Sequence, residues 1–488
     1  MRYFSIVVST LVLFFTILSA QVESLPAPII NNKSFEILSN NRYSVHSGFT
    51  SNLSRQILSN ILWAMNRAPR ISGYREIYVA TPTNVYRYDT TNHTLVIHLP
   101  GNHRYLSGSA FEIGIATERH EETGLMIQSG LLAGTAFRDS NVATCPMKYA
   151  ADYANSNWNP VHPIKCVGVF GRYTCPALDT TCLAVSSNSS LPLPRTDGTD
   201  TFEVVLSTLT QDSVFSPISL SLPTISQLAW AGYGVAPHTT TNNRRGLTVP
   251  SAIAAYYLTR KIYLVSDAGV NRYHNRLPPG TGLTTADHRL EQITAEDRRA
   301  QLRAASSRIP STAPVYFVIC VNDTSAYGPM QEAGFVGFQL LMQAKILGLK
   351  GFLTVPLNPT ERTAIISALS IPTTDIPVIV FSCGASATNI DEIKYYLKDT
   401  DHIKILSPNF DKIQIEYWIS TPGTPKISIF DKTGRLVYSF NQEFKLPGRY
   451  IIEWNGMSNT GQKITAGVYI CRITINNTTY SAQFIIAD

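Results

Sequence analysis

The 488-residue chain contains no run of five or more basic residues, although Lys and Arg (40) outnumber Asp and Glu (34). A surplus scattered in this way is ordinary solvated surface, so nucleic-acid binding is not expected. No cysteine pair has C-x-x-C spacing, which removes the usual signature of structural zinc, and no metal site is expected. There is no G-x-S-x-G elbow. Cys383 follows an apolar run with no neighbouring His, so it reads as packing and not as a nucleophile. Long apolar runs are also missing beyond the first, "FSIVVSTLVLFFTIL" (residues 4–18), so no later stretch is suited to cross a bilayer.

That first run has Arg2 ahead of it and the small pair Ser19-Ala20 behind it. This is the layout of a secretory leader cleaved after Ala20. The run is short for a membrane span of about 20 residues. No twin-Arg pair stands in the leader, so export is expected through the general route, before folding. Export permits disulfides. Seven cysteines leave at least one unpaired within the chain, and two of Cys166, Cys175 and Cys182 are close enough in sequence to staple a loop.

Apolar residues make up 44% of the chain, enough for sizeable cores. At roughly 100–200 residues per domain the length suggests about three domains. The sequence is written partly twice. "REIYVATPTNVYRY" (75–88) returns as "RKIYLVSDAGVNRY" (260–273), each a strand, a turn and a strand. "LSNILWA" (58–64) returns as "ISQLAWA" (225–231), with apolar residues at helical spacing; Trp63 and Trp230 read as core. "EETGLMIQSGLLAG" (121–134) parallels "QEAGFVGFQLLMQAKILGL" (331–349), and "PIKCVGVFG" parallels "PVIVFSCG" as buried strands. The copies span roughly 35–180 and 200–385, and "AVSSNSSLPLPRTDGTD" between them reads as a linker. Such a period is too long for a solenoid and favours an internal pseudo-dimer. From about residue 400 helical periodicity gives way to short alternating runs separated by Gly and Pro turns, a small β-sandwich.

In the second copy "ISQLAWAGYGV", "RRGLTVPSAIAAYYLTRKIYLV", "APVYFVICV" and "EAGFVGFQLLMQAKILGL" follow one another. This order resembles the FMN-dependent nitroreductase family, in particular its SagB-type dehydrogenases, over most of 200–385 and more faintly over 35–180. "LSPNF", "ISIFDKTGRLV" and "PGRYIIEWNGMSNTGQKITAGVYICRI" resemble the carboxy-terminal sorting or FlgD-like Ig domain of exported bacterial proteins. The resemblances imply an α+β fold: a leader (1–20), two tandem nitroreductase-like α/β copies forming a pseudo-dimer (35–180 and 200–385), and a C-terminal Ig-like β-sandwich (400–488). They imply a secreted or cell-surface protein with a peptide-derived or small-molecule substrate, met by the sorting machinery through its last domain.

The family holds FMN between subunits, with a basic segment on the phosphate and a Pro-Ser loop of the partner at the flavin ring. Guanidinium forks and hydroxyls suit a phosphate, and an apolar slot with a few donors suits the ring. The first copy has Arg42, Ser44 and His46 at the phosphate segment but lacks the loop; the second has Pro250, Ser251 and Ala252 but carries Asp212 where a phosphate would be repelled. Gly124 and Gln128 match the family's Gly-x-x-x-Gln helix start, and Arg172 offers a second charge. The expectation is one hybrid flavin site from Arg42, Ser44, His46, Gly124, Gln128, Arg172, Pro250, Ser251 and Ala252, with no protein acid–base residue assigned. The competing expectation is a non-catalytic surface protein on a retired scaffold. Convergence of Arg42 and Pro250 around space for a flavin favours the enzyme; an interface filled by side chains favours the scaffold.

Overall fold

The computed structural model describes residues 22–50, 52–175, 177, 191–240, 245–276, 286–386, 403–409, 412–419, 423–440, 442–443, 448–475 and 478–486. The expected leader and Cys182 lie outside these residues.

Two antiparallel sheets organise residues 22–386. The first comprises β1 (Val22–Ser24), β2 (Arg75–Ala80), β3 (Asn84–Asp89), β4 (Thr94–Pro100), β5 (Phe111–Thr117), β6 (Val142–Met147) and β7 (Ile164–Arg172) in the order β1-β4-β3-β2-β5-β7-β6. A two-stranded hairpin, β8 (Val235–Thr239) and β9 (Arg245–Leu247), precedes the second sheet. That sheet comprises β10 (Ile262–Ser266), β11 (Gly269–Arg276), β12 (Ala286–Thr294), β13 (Val315–Val321), β14 (Lys350–Thr354) and β15 (Ile376–Gly384), ordered β12-β11-β10-β13-β15-β14. Apart from β1, the two orders agree strand for strand. β1 also brings residues 22–24, ahead of residue 35, into the first sheet through its pairing with β4.

The helices follow the same plan. In the first half they are α1 (Phe35–Asn41), α2 (Arg55–Arg67), α3 (His120–Thr135) and α4 (Lys148–Asn157); in the second, α5 (Phe202–Ser207), α6 (Leu222–Tyr233), α7 (Arg299–Ala304), α8 (Tyr327–Ile346) and α9 (Pro359–Leu369). Ser54 and Ser221 cap α2 and α6 by accepting from the amides of Ile57 and Thr224. Ile57, Leu58, Ile61, Leu62 and Met65 form the buried stripe of α2.

α3 and α8 are buried on nearly every face and pack on each other. They touch at two glycines. A methyl group on Gly124 would collide with the Gln331 carbonyl and lie 2.9 Å from the Gly334 Cα; one on Gly334 would collide with the Glu121 carbonyl. Gly334→Ala is expected to cost about 1–3 kcal/mol through overpacking, read as a lowered melting temperature. An unchanged melt would mean that the crossing has slack.

Each half carries the same clasp, half-buried in the first and buried in the second. In the first, Ser59 Oγ lies 2.7 Å from His93 Nε2, Tyr88 OH 2.6 Å from His93 Nδ1, and Ser59 donates to the Pro26 carbonyl. In the second, Ser226 Oγ lies 2.7 Å from His288 Nε2, Tyr273 OH 2.9 Å from His288 Nδ1, and Ser226 donates to the Pro192 carbonyl. Asn60 binds both backbone groups of Ile29, and Gln227 those of Arg195. Residues 192–195, part of the stretch read as a linker, are therefore docked on α6. The halves meet where Ser34 bridges Thr201, with Phe35 N donating to Asp200 O and Phe202 N to Lys33 O.

Cys166 and Cys175 are free thiols, so the staple between those two is not formed. Beyond residue 402, β16 (Ile403–Asn409), β17 (Lys412–Ile419) and β20 (Gly448–Trp454) form one antiparallel sheet. β18 (Lys426–Asp431), β19 (Leu436–Phe440), β21 (Gly467–Ile475) and β22 (Thr478–Ile486) form another. Ile413, Ile415 and Tyr417 of the first share one apolar cluster with Ile427, Ile429 and Cys471 of the second.

Candidate functional site

Arg42 is the C-cap of α1, and burial of Phe35 and Leu38 on that helix draws it inward until 1% of it is exposed. Its Nε donates to the Thr248 carbonyl at 3.2 Å and its Nη2 to the Leu247 carbonyl at 3.1 Å. These acceptors are at the root of the second half's Pro-Ser loop. Burial lowers the guanidinium to about 10, so it stays charged at neutral pH. Its Nη1 is buried without an acceptor. Gln128 of α3 and Gln339 of α8 donate to the same Thr248 carbonyl at 3.2 and 3.0 Å, and Gln128 Oε1 is buried without a donor. Three donors on an oxygen with two lone pairs, beside two unmet polar atoms, is a crowded and incompletely satisfied junction.

Beyond Thr248 the chain runs through buried Val249 and Pro250 into a loop held from inside. The Tyr256 amide donates to Ser251 Oγ at 2.7 Å. Ile253, Ala254 and Tyr256 have φ of 50°, 52° and 51°, and Ile253 is 81% exposed. A β-branched residue in this left-handed region costs roughly 1–2 kcal/mol and persists only where its surroundings enforce it. Part of that enforcement comes from Glu332 of α8, which accepts from Tyr233 OH and from the Leu258 amide at 3.2 Å, with the Ser251 hydroxyl beside it. Burial raises the Glu332 carboxyl to about 7, against the lowering influence of those donors.

Of the nine expected residues, Arg42 and Gln128 meet at Thr248, two residues from Pro250; Ser251 and Ala252 continue that loop. Gly124 is a correction: it is the fifth residue of α3, past the open first turn, and its space is taken by α8. Ser44 and His46 turn toward β6 instead, where both neighbour Cys145, with His46 Nδ1 3.3 Å from its sulfur. Burial pushes that thiol up to about 12, so it is no nucleophile. Arg172 is exposed, donates to Asn52 O at 3.4 Å, and lines a surface cleft of about 390 Å³ with Gly48, Thr50, Asn141, Tyr173 and Thr174, a set without Arg42.

Sequence reasoning missed Arg138, His238, Arg245, Arg276, Gln339 and Glu332, all near the junction. Only the Arg-Arg-Gly ahead of the loop hinted at Arg245; the others are brought in by strands and helices far apart in sequence.

No family profile matches the chain and no curated relative is found for it. Solved structures do resemble it. A protein designated a nitroreductase from Anabaena variabilis superposes with a TM-score of 0.50 at 11% identity, over 70% of this chain and 93% of its own. The fold is nitroreductase-like. Another so designated, from Ralstonia eutropha, gives 0.34 at 22% identity over 43% of this chain and 97% of its own. An FMN-dependent nitroreductase from Clostridium difficile gives 0.26 at 13% identity over 39% and 95%.

Proposed function

We propose that the chain is an exported FMN-dependent oxidoreductase whose two halves are tandem copies related by a pseudo-twofold through the α3–α8 crossing, with a single flavin site at their junction and an Ig-like sorting domain after them. The observation that carries the reading is Arg42: a fully buried cation of one half, bonded to the other half's Pro-Ser loop, with Nη1 unmet and no carboxylate in contact among the described residues. The donor set fits the group. Arg42 offers a guanidinium donor to the phosphate, Gln128 an acceptor to a polar ring edge, and Pro250 and Val249 an apolar wall. When bound, FMN supplies a two-electron carrier. The chain's own residues bind and orient it, and Glu332 holds the loop that faces it.

The second junction lacks both parts. Asp212 stands in the second half, its backbone amide bonded to Gly351 O, and the first half runs from α2 to β2 without a Pro-Ser loop. The competing scaffold reading is favoured by one observation, the saturation of the Thr248 carbonyl by three side chains. Visible absorption separates the two. Purified protein mixed with FMN and freed of excess is expected to keep one shifted flavin band per chain. Arg42→Ala and Ser251→Tyr are expected to lose it while keeping a native circular dichroism spectrum. A colourless wild-type protein leaves the scaffold.

A further inference from the structure

The two C-terminal sheets end in the edge strands β16, β20, β19 and β22, and all but β20 are guarded. β16 carries Pro408 and a register shift after Ile405, and it packs against β22 of the facing sheet. β19 has a register shift against β18 and is covered by a turn: Asn459 N donates to the Val437 carbonyl at 2.9 Å, and Ser439 N to Asn459 Oδ1 at 3.2 Å. Proline, bulges and covering contacts are the usual means of keeping an edge from pairing with another chain.

β20 has none of these among the described residues. Gly448–Trp454 holds no Pro and no Lys, and it pairs with β17 alone in one unbroken register. Alternation along the strand turns Ile452 and Trp454 toward the apolar cluster between the sheets. It leaves Ile451 49% exposed, with Glu453 exposed beyond it. Glu453 accepts from Gln414 of β17 at 2.8 Å, and a carboxylate has further acceptor positions. An exposed β-branched residue in the middle of a regular, unguarded edge is what an added strand covers.

The order of the residues says which strand. Around Ile451 the chain reads Arg449-Tyr450-Ile451-Ile452-Glu453. A second copy laid antiparallel, with a twofold axis at Ile451, sets Arg449 opposite Glu453 and Tyr450 opposite Ile452, and each pairing occurs twice. Unlike charges, and an aromatic opposite a β-branched residue, are favourable cross-strand pairs. A slip of one residue would set Arg449 opposite Trp454 and turn the core face of one sheet to the outer face of the other.

We propose that the chain associates with a second copy of itself through β20, antiparallel about a twofold at Ile451, so that two β16-β17-β20 sheets join into one. This does not depend on the flavin reading, because no residue of the junction takes part.

Sedimentation of the purified protein over a concentration series is expected to show a weak, reversible monomer–dimer equilibrium, the behaviour of a small interface. Glu453→Arg and Arg449→Glu are each expected to weaken it about tenfold or more, since the twofold turns one reversal into two like-charge pairs. The two changes combined are expected to restore dimerisation, because the facing charges are opposite again. Ile451→Lys, which sets two ammonium groups against each other on the axis, is expected to leave a monomer. Melting temperatures close to wild type show that the variants are folded. A monomer at every concentration overturns the proposal and leaves the edge to a strand of another protein. A dimer insensitive to both charge reversals places the contact elsewhere, and one that the combined variant fails to restore refutes the register; either result overturns it.

Discussion

Glu122→Gln is expected to cost the fold about 3–5 kcal/mol, the usual result of breaking a buried ion pair from one side, while Glu332→Gln costs no more than about 1 kcal/mol. The two acids occupy the same place, two residues before Gly124 and Gly334. Their partners differ. Glu122 is fully buried and bonded to Arg75 at 2.6 Å; Arg75 in turn donates to the carbonyls of Asn66, Ala68 and Pro69, and Glu122 Oε2 accepts from Ile71 N. Acid and arginine together close the short connection from α2 to β2. Removing the carboxylate leaves Arg75 buried and uncompensated. Among the described residues no arginine pairs with Glu332 in that position; it meets Tyr233, Leu258 and Ser251, and its carboxyl is raised to about 7 by burial. A glutamine oxygen accepts the hydrogen bonds from Tyr233 and Leu258 equally well. The sign of the pH dependence follows. A carboxyl raised in the folded state loses stability as pH rises from its ordinary 4.5 through 7, so Glu332→Gln gains on wild type across that window. Denaturant melts of the two variants at several pH values test this. Equal losses for both would mean that the second half is closed as tightly as the first, which would count against a ligand site under its loop.

That asymmetry explains what was legible in the sequence. The paired strands and the helices α2, α3, α6 and α8 announce themselves because burial of one stripe or face imposes its period on the residues themselves. The presence of the Pro-Ser loop in one half alone can be read the same way. Contacts at the junction cannot be. Arg42 meets Thr248 across 206 positions, and Gln339 meets the same carbonyl only because α3 and α8 cross there. Gly124 illustrates the limit most clearly: a Gly-x-x-x-Gln spacing fits a cofactor helix and a backbone crossing equally well, and only the position of α8 decides between them. Ser44 and His46 are placed by a contact that the sequence does not show, the bridge from Ser44 to Thr144 of β6.

His288→Gln is expected to destabilise the second half by about 2–4 kcal/mol at neutral pH, by leaving the Tyr273 hydroxyl without its imidazole partner in the core and Ser226 with the Pro192 carbonyl alone. Tyr273 and His288 are almost fully buried, and the imidazole ties Ser226 of α6 to the Pro192 segment. Burial lowers His288 to about 4 from an ordinary 6.5. The unfolded chain therefore binds the proton first as pH falls, so the stability this neutral ring supplies is complete above 6.5 and drains away toward 4, by roughly 3 kcal/mol. Glu36 and Glu332, both raised to about 7 by burial, act in the opposite sense over much of that range. The difference between wild type and variant isolates the histidine, and it is expected to shrink steadily from pH 6.5 to 4. His93, its half-buried counterpart, is expected to give a smaller gap with a weaker pH dependence. A gap that stays constant with pH would mean that His288 is protonated in the folded protein, with Ser226 and Tyr273 both accepting from it, and the clasp would then be an electrostatic device and not a buried neutral one.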